Sequence, residues 1–321
     1  MAAVTRLSDF SDEAAEWDGD FELVECRRAL SPTNLPGLKY TLNPYGGCAH
    51  GCVYCYAPSY THSDLSTWRV VRVRTNIVDR LARELPGTEG AIGIGSSTDP
   101  YQYAESRFLL TRRCLEVLRS HGREANIVTK SDLVTRDIPL LQTMRCTVGF
   151  TITGLDERIS KMAEPGAPLP SARLDAMRRM VDAGIDTYAM ISPVMSSLEG
   201  REAELVDAIA ATGVRHYLMG TLNARQGDEA RLGRMGLAPS RKAEIELKKH
   251  LSEMGFKTIQ EDRSEQVLDT LRLQEALDPD LLQDAALLLA AHRHAVSPGR
   301  RELGYGEVIR WGGYLGAVQD P

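Results

Sequence analysis

Cys48, Cys52 and Cys55 fall within eight residues, in the segment Cys48-Ala-His-Gly-Cys52-Val-Tyr-Cys55, on a stretch punctuated by Gly46, Gly47 and Gly51. Thiolates are soft ligands suited to iron–sulfur clusters and to zinc. Three of them on one short loop can hold three irons of a cubane and leave the fourth open for a substrate or cosubstrate. The glycines let such a loop fold tightly. A structural zinc knot completed by His50 or His62 is the alternative. Zinc loops normally pair one C-x2-C with another further along, and no second pair exists here.

The remaining cysteines read differently. Cys114 shares an apolar helical face with Leu110, Val117 and Leu118, and Cys146 opens a strand. Both are expected to be core thiols. Disulfides are the mark of short secreted chains, and this sequence is neither short nor preceded by a hydrophobic leader. Its acidic N-terminus and longest apolar run, Ala285 to Ala291, point to the cytoplasm and no membrane.

The elements that must carry the loop follow from periodicity. With 321 residues, 43% apolar and 26% charged, the chain suits one large soluble domain with an appendage. From about residue 38, β-branched runs alternate with amphipathic helical patterns. Strands are expected at 38–46, 91–97, 125–131, 146–153, 187–194 and 215–222. Helices are expected at 75–85, 109–122, 133–144, 171–183 and 200–211. The fold class is therefore α/β, a partial (β/α)6 barrel over 36–225. Residues 1–35 are expected as an N-terminal extension on its surface. Residues 226–321 are expected as a helical C-terminal cap, with helices near 239–254, 264–276 and 279–293. In parallel β/α folds chemistry sits at the C-terminal strand ends, and the cysteine loop follows the first strand directly.

The net charge of −6 weighs against a dedicated duplex-DNA binder, which draws affinity from neutralising phosphates. Arg69, Arg72 and Arg74 in WRVVRVR read first as the polar face of a strand and second as an anion contact.

The C-x3-C-x2-C loop after the first strand, with Tyr54 before its last cysteine, resembles the radical SAM superfamily. The wording NPYGGCAHGCVYCYAP, with SSTDPYQ (96–102), VTKSDLVTRDIPLL (128–141) and EPGAP (164–168), is similar to its spore photoproduct lyase-like branch over about residues 35–225. That resemblance implies a [4Fe-4S] cluster on the three cysteines and S-adenosylmethionine (SAM) on the open iron. It also implies a low-potential electron donor of ferredoxin or flavodoxin type, and a 5′-deoxyadenosyl radical that abstracts hydrogen. Tyr54 is then expected near the adenine. Thr98 and Asp99 at the second strand end, and Lys130 at the third, are expected on the SAM amino and carboxylate groups. Thr151, Thr153, Glu164 and Ser192 are further SAM-contact candidates, and Tyr56 and Ser96 candidate catalytic residues. One position departs from the branch. The repair lyase has a hydrogen-donating cysteine three residues before the aspartate, and here that position is Ser96, a much poorer hydrogen-atom donor.

The expected activity is thus radical modification of a protein or peptide side chain, for example C-methylation. A nucleic-acid lyase and a non-enzymatic metal-binding protein are the alternatives. Methylases of this kind often need cobalamin, but no Asp-x-His-x-x-Gly box is present, so any cobalamin would be held by the barrel and cap.

Overall fold

The computed structural model describes residues 21–256, apart from 34, 36, 62, 65 and 221–227. His62 and the expected helices at 264–276 and 279–293 lie outside the described residues.

Ten strands and ten helices are formed among them. The strands are β1 (Phe21–Val24), β2 (Leu30–Pro32), β3 (Tyr40–Leu42), β4 (Tyr45–Gly46), β5 (Val71–Arg74), β6 (Ile92–Ile94), β7 (Ala125–Thr129), β8 (Cys146–Thr151), β9 (Asp186–Ile191) and β10 (His216–Met219). The helices are α1 (Ala57–Tyr60), α2 (Ile77–Glu84), α3 (Ala104–Phe108), α4 (Leu110–Ser120), α5 (Ile138–Leu141), α6 (Glu157–Ala163), α7 (Pro170–Asp182), α8 (Glu202–Ala210), α9 (Asp228–Arg234) and α10 (Arg241–Glu253).

The main sheet runs β10-β9-β8-β7-β6-β3-β2. Its six strands from β3 to β10 pair in parallel, and β2 closes the edge antiparallel to β3. This is the six-unit partial barrel expected from the β/α alternation. Its interior strand β8 is buried along its whole length, as befits a parallel strand covered on both faces. Helix α4 buries Leu110, Cys114, Leu115 and Leu118 against the sheet and stops at Gly122, whose φ of +62° suits only glycine without strain. Cys114 and Cys146 both belong to the core.

Three local readings change. The expected strand at 38–46 is two strands, because Asn43-Pro44 interrupts it and Pro44 has no N–H for the ladder. Its second half, β4, joins a separate small sheet in the order β1-β5-β4. The helix expected at 133–144 is a 3-10 stretch, Asp132–Asp137, followed by the single turn α5; Pro139 lies in that turn's first positions. Residues before 35 do not only lie on the surface, since β1 and β2 each complete a sheet.

Register aligns the C-terminal ends of the parallel strands. Leu42 sits beside Ile94, Ile94 beside Ile127, Thr129 beside Phe150, and Thr151 beside Met190. The loops that follow converge at that edge.

Candidate active site

A cavity of about 880 Å³, counted with its open mouth, occupies this edge. The cysteine loop lines it with Cys48, His50, Cys52, Tyr54, Cys55 and Tyr56. Across from the loop stand Ser96, Ser97, Thr98 and Asp99 after β6, Lys130 after β7, Thr151 at the end of β8, and Ser192 after β9. Val128 and Met190 supply its apolar floor. Its composition suits a cofactor site, apolar with a few convergent polar groups.

The loop is built on the small sheet. The alternation of WRVVRVR forms β5, with Val71 and Val73 buried. Cys48 N donates to Trp68 O at 2.8 Å, and Cys48, Cys55, Ala57 and Trp68 pack together. Gly47 has φ +74°, and a Cβ there would stand 2.3 Å from Val70 O, so only glycine passes this point. The arginines serve structure. Arg69 donates to Gly51 O at 3.2 Å, and Arg72 pairs with Glu22 across the small sheet.

The opposite flank of the loop rests on α6 and α9. Val53 N donates to Ala163 O at 2.8 Å and Gly166 N to His50 O at 3.0 Å. A Cβ on Gly166 would meet Ala49 O at 2.2 Å. Arg231 on α9 donates to Val53 O at 2.7 Å, so the helical region after residue 226 reaches the cysteine loop.

Behind this flank lies a buried ionic group. Glu164 accepts from the Arg173 guanidinium and from the Tyr54 hydroxyl. Thr153 Oγ1 adds a longer contact at 3.4 Å, and Arg173 also donates to Thr151 O at 3.1 Å. Burial pushes the Glu164 carboxyl up, but Arg173 and Lys130 outweigh it and leave it below the ordinary carboxylate range. Neither Glu164 nor Thr153 is among the residues that line the cavity, where Thr151, two residues before Thr153, does. Glu164 is consumed by its partners, and Thr153 lines a smaller neighbouring cleft with Asp156 and Arg201.

The other expected residues are brought together. Lys130 lies over the Tyr54 ring, its Nζ 5.7 Å from the centroid. Burial lowers its proton affinity, but its coupling to the acidic groups Cys52, Glu164 and Asp99 raises it more, so its pKa lies above the ordinary lysine value. Thr98 donates to Tyr45 O at 3.2 Å, which leaves its oxygen free to accept from a ligand ammonium. Tyr56 donates its hydroxyl to Ser96 O, and Ser96 Oγ accepts from Asn43 Nδ2 at 3.1 Å.

Asp99 is a junction. It accepts from Lys130 N and from Thr129 Oγ1, each at 2.7 Å, and lies 3.4 Å from His50 Nδ1. Burial lowers the His50 pKa, so the ring facing Asp99 is held toward its neutral form. Asn43, Gln102 and Arg173 are not among the site residues expected from the sequence. Gln102 alone carried a sequence signal, its place three residues after Asp99 in the SSTDPYQ turn.

The donor set fits a cluster with one open iron. Three cysteines outside any disulfide line one cavity, and His50, the fourth candidate ligand, is turned to Asp99. Among the described residues, no three His, Cys, Asp or Glu side chains converge as on a single metal ion. Burial pushes the Cys48 thiol up to about 12 and also raises Cys52, so both hold protons until a metal displaces them.

The comparisons with known proteins agree. A 34% identical relative over 180 residues is an uncharacterized protein of Methanocaldococcus jannaschii, the match covering 54% of this chain and 68% of the relative. An uncharacterized protein of Mycobacterium tuberculosis (strain H37Rv) is 33% identical over 226 residues, 64% of this chain and 66% of its own length. Among solved structures, a spore photoproduct lyase mutant with bound AdoMet and dinucleoside spore photoproduct shares the fold. Its TM-score is 0.57 at 15% identity, over 73% of this chain and 79% of that one. A second mutant of that lyase superposes with TM-score 0.53 at 17% identity, over 81% and 80% of the chains. The radical SAM superfamily profile matches residues 42–209. Its members use a [4Fe-4S] cluster and SAM, and by that match, with three cysteines on the first strand-end loop, this chain belongs to the radical SAM superfamily.

Proposed function

We propose that this protein uses SAM-dependent hydrogen abstraction to modify a protein or peptide side chain, C-methylation being one such outcome. When bound, the cluster and SAM supply reductive cleavage of SAM and a hydrogen-abstracting species. The chain's residues bind and orient. Cys48, Cys52 and Cys55 hold the cluster, Lys130 meets the SAM carboxylate, and Thr98 accepts from its ammonium. Thr151 and Ser192 offer hydroxyls to the ribose, and the Tyr54 ring packs near the adenine.

The observation that carries the substrate reading is the cavity's thiol content. Among the described residues lining it, the cysteines are the three ligands, and Ser96 stands at the strand end where the repair lyase has its hydrogen donor. A substrate radical formed here is not returned to a closed-shell product by a protein thiol, so a bond-forming fate such as methylation suits the site. A polyanionic substrate is disfavoured by the net charge of −6 and by Arg69 and Arg72 being engaged.

The test is anaerobic reconstitution, then incubation with SAM, dithionite and an undigested protein extract, read by mass spectrometry. The expected result is 5′-deoxyadenosine together with a defined mass shift on one polypeptide. Formation of 5′-deoxyadenosine driven only by nucleic acid would overturn the polypeptide reading, and its complete absence would overturn radical chemistry.

A further inference from the structure

Amides near an iron–sulfur cluster tune it. An N–H donated to a cluster sulfur stabilises the more negative, reduced state and raises the reduction potential. In this loop most amides are turned elsewhere. Cys48 N donates to Trp68 O and Val53 N to Ala163 O, both at 2.8 Å, and Cys55 N to Cys52 O at 3.1 Å. The amides of His50 and Asp99, in contrast, are directed at the Cys48 sulfur.

Ala49 N, between Cys48 and His50 in the chain, is held by a side chain. It donates to Gln102 Oε1 at 2.8 Å. The same carboxamide donates from Nε2 to Gly47 O at 3.1 Å, so Gln102 brackets Cys48 on both sides. Gln102 is fully buried and does not line the cavity. Its two hydrogen bonds both go to the backbone that flanks Cys48, so its effect on the site passes through that loop.

We propose that Gln102 is a positioning residue that sets the reduction potential of the cluster, by fixing the loop around Cys48 and keeping the Ala49 N–H off the sulfurs. Cleavage of SAM needs a strongly reducing cluster, so an amide withheld from the sulfurs favours the reaction. The inference concerns the cluster and holds for any substrate, so it stands or falls apart from the polypeptide reading.

Two substitutions separate tuning from simple support. Gln102→Met keeps the volume, removes both hydrogen bonds and frees the Ala49 amide. Gln102→Glu keeps an acceptor for that amide and adds negative charge. Each reconstituted holoprotein is assayed for iron and titrated redox-wise by electron paramagnetic resonance. Gln102→Met is expected to move the couple upward, with about tenfold more reduced cluster at a fixed poise, or about 59 mV for one electron. Gln102→Glu is expected to move it downward. Wild-type potentials in both, or shifts of the same sign, would overturn the proposal. Should Gln102→Met fail to retain iron, Gln102→Glu decides alone: a downward shift with full iron supports the proposal, and an unchanged or higher potential overturns it.

Discussion

The Glu164 carboxylate and the Arg173 guanidinium form a fully buried ion pair beside the cysteine loop, and the Tyr54 hydroxyl donates to the same carboxylate. The pair thus joins α7 to the residue preceding the last cluster ligand. Removing one partner strands a buried charge, which costs about 3–5 kcal/mol. Glu164→Ala should lower the urea midpoint accordingly, while Glu164→Gln, which can still accept from Tyr54, should lose less. Equal losses in the two variants would show that the hydrogen bond from Tyr54 adds nothing once the charge is gone.

Lys130 projects into the cavity opposite the cysteines, over the Tyr54 ring. If it holds the SAM carboxylate, Lys130→Met should weaken SAM binding about tenfold, or about 1.4 kcal/mol, at unchanged iron content. Equilibrium dialysis of the reconstituted protein measures this directly. Unaltered affinity would reassign Lys130 to support of the loop.

Cys48→Ala, Cys52→Ala and Cys55→Ala should each lose the visible thiolate-to-iron charge-transfer band and all formation of 5′-deoxyadenosine. Cys114, on the buried face of α4, should behave differently. Cys114→Ala should keep the band and reduce only thermal stability.

Iron uptake should depend on pH with a definite sign. The Cys48 thiol, pushed up to about 12 by burial and by the nearby Asp99 charge, is protonated in the free protein. Cluster binding requires the thiolate, so loading releases protons and becomes more favourable as pH rises through the neutral range. Cluster incorporation across a pH series, with proton release in weakly buffered solution, tests this. Loading without proton release would contradict it.

The parts legible in the sequence were those written in local pattern. Period-two and helical alternation located all six parallel strands, and the eight-residue cysteine spacing located the loop. Strand register then made Thr98, Lys130, Thr151 and Ser192 neighbours, which their separation along the chain does not show. What escaped the sequence was partnership. Glu164 in EPGAP reads as a free carboxylate until Arg173, nine residues on, is seen to hold it. Arg69 and Arg72 read as the polar face of a strand with an anion contact as the second reading, and their partners, Gly51 O and Glu22, are not visible there. Gln102 carries no chemistry of its own, and its role exists only through the two backbone groups it spans.

The small sheet gives residues 21–24 a bearing on a site that begins at residue 48. β1 flanks β5, and the segment leading into β5 carries both Trp68 O, which holds the Cys48 amide, and Arg69, which holds Gly51 O. A fragment cut at residue 36, where the barrel pattern starts in the sequence, would retain every ligand and every strand-end hydroxyl. It would also leave β5 with a bare edge and β3 without β2 beside it. The smallest functional piece of this chain is therefore longer than its recognisable motifs, and its beginning is dictated by what underlies the cluster loop.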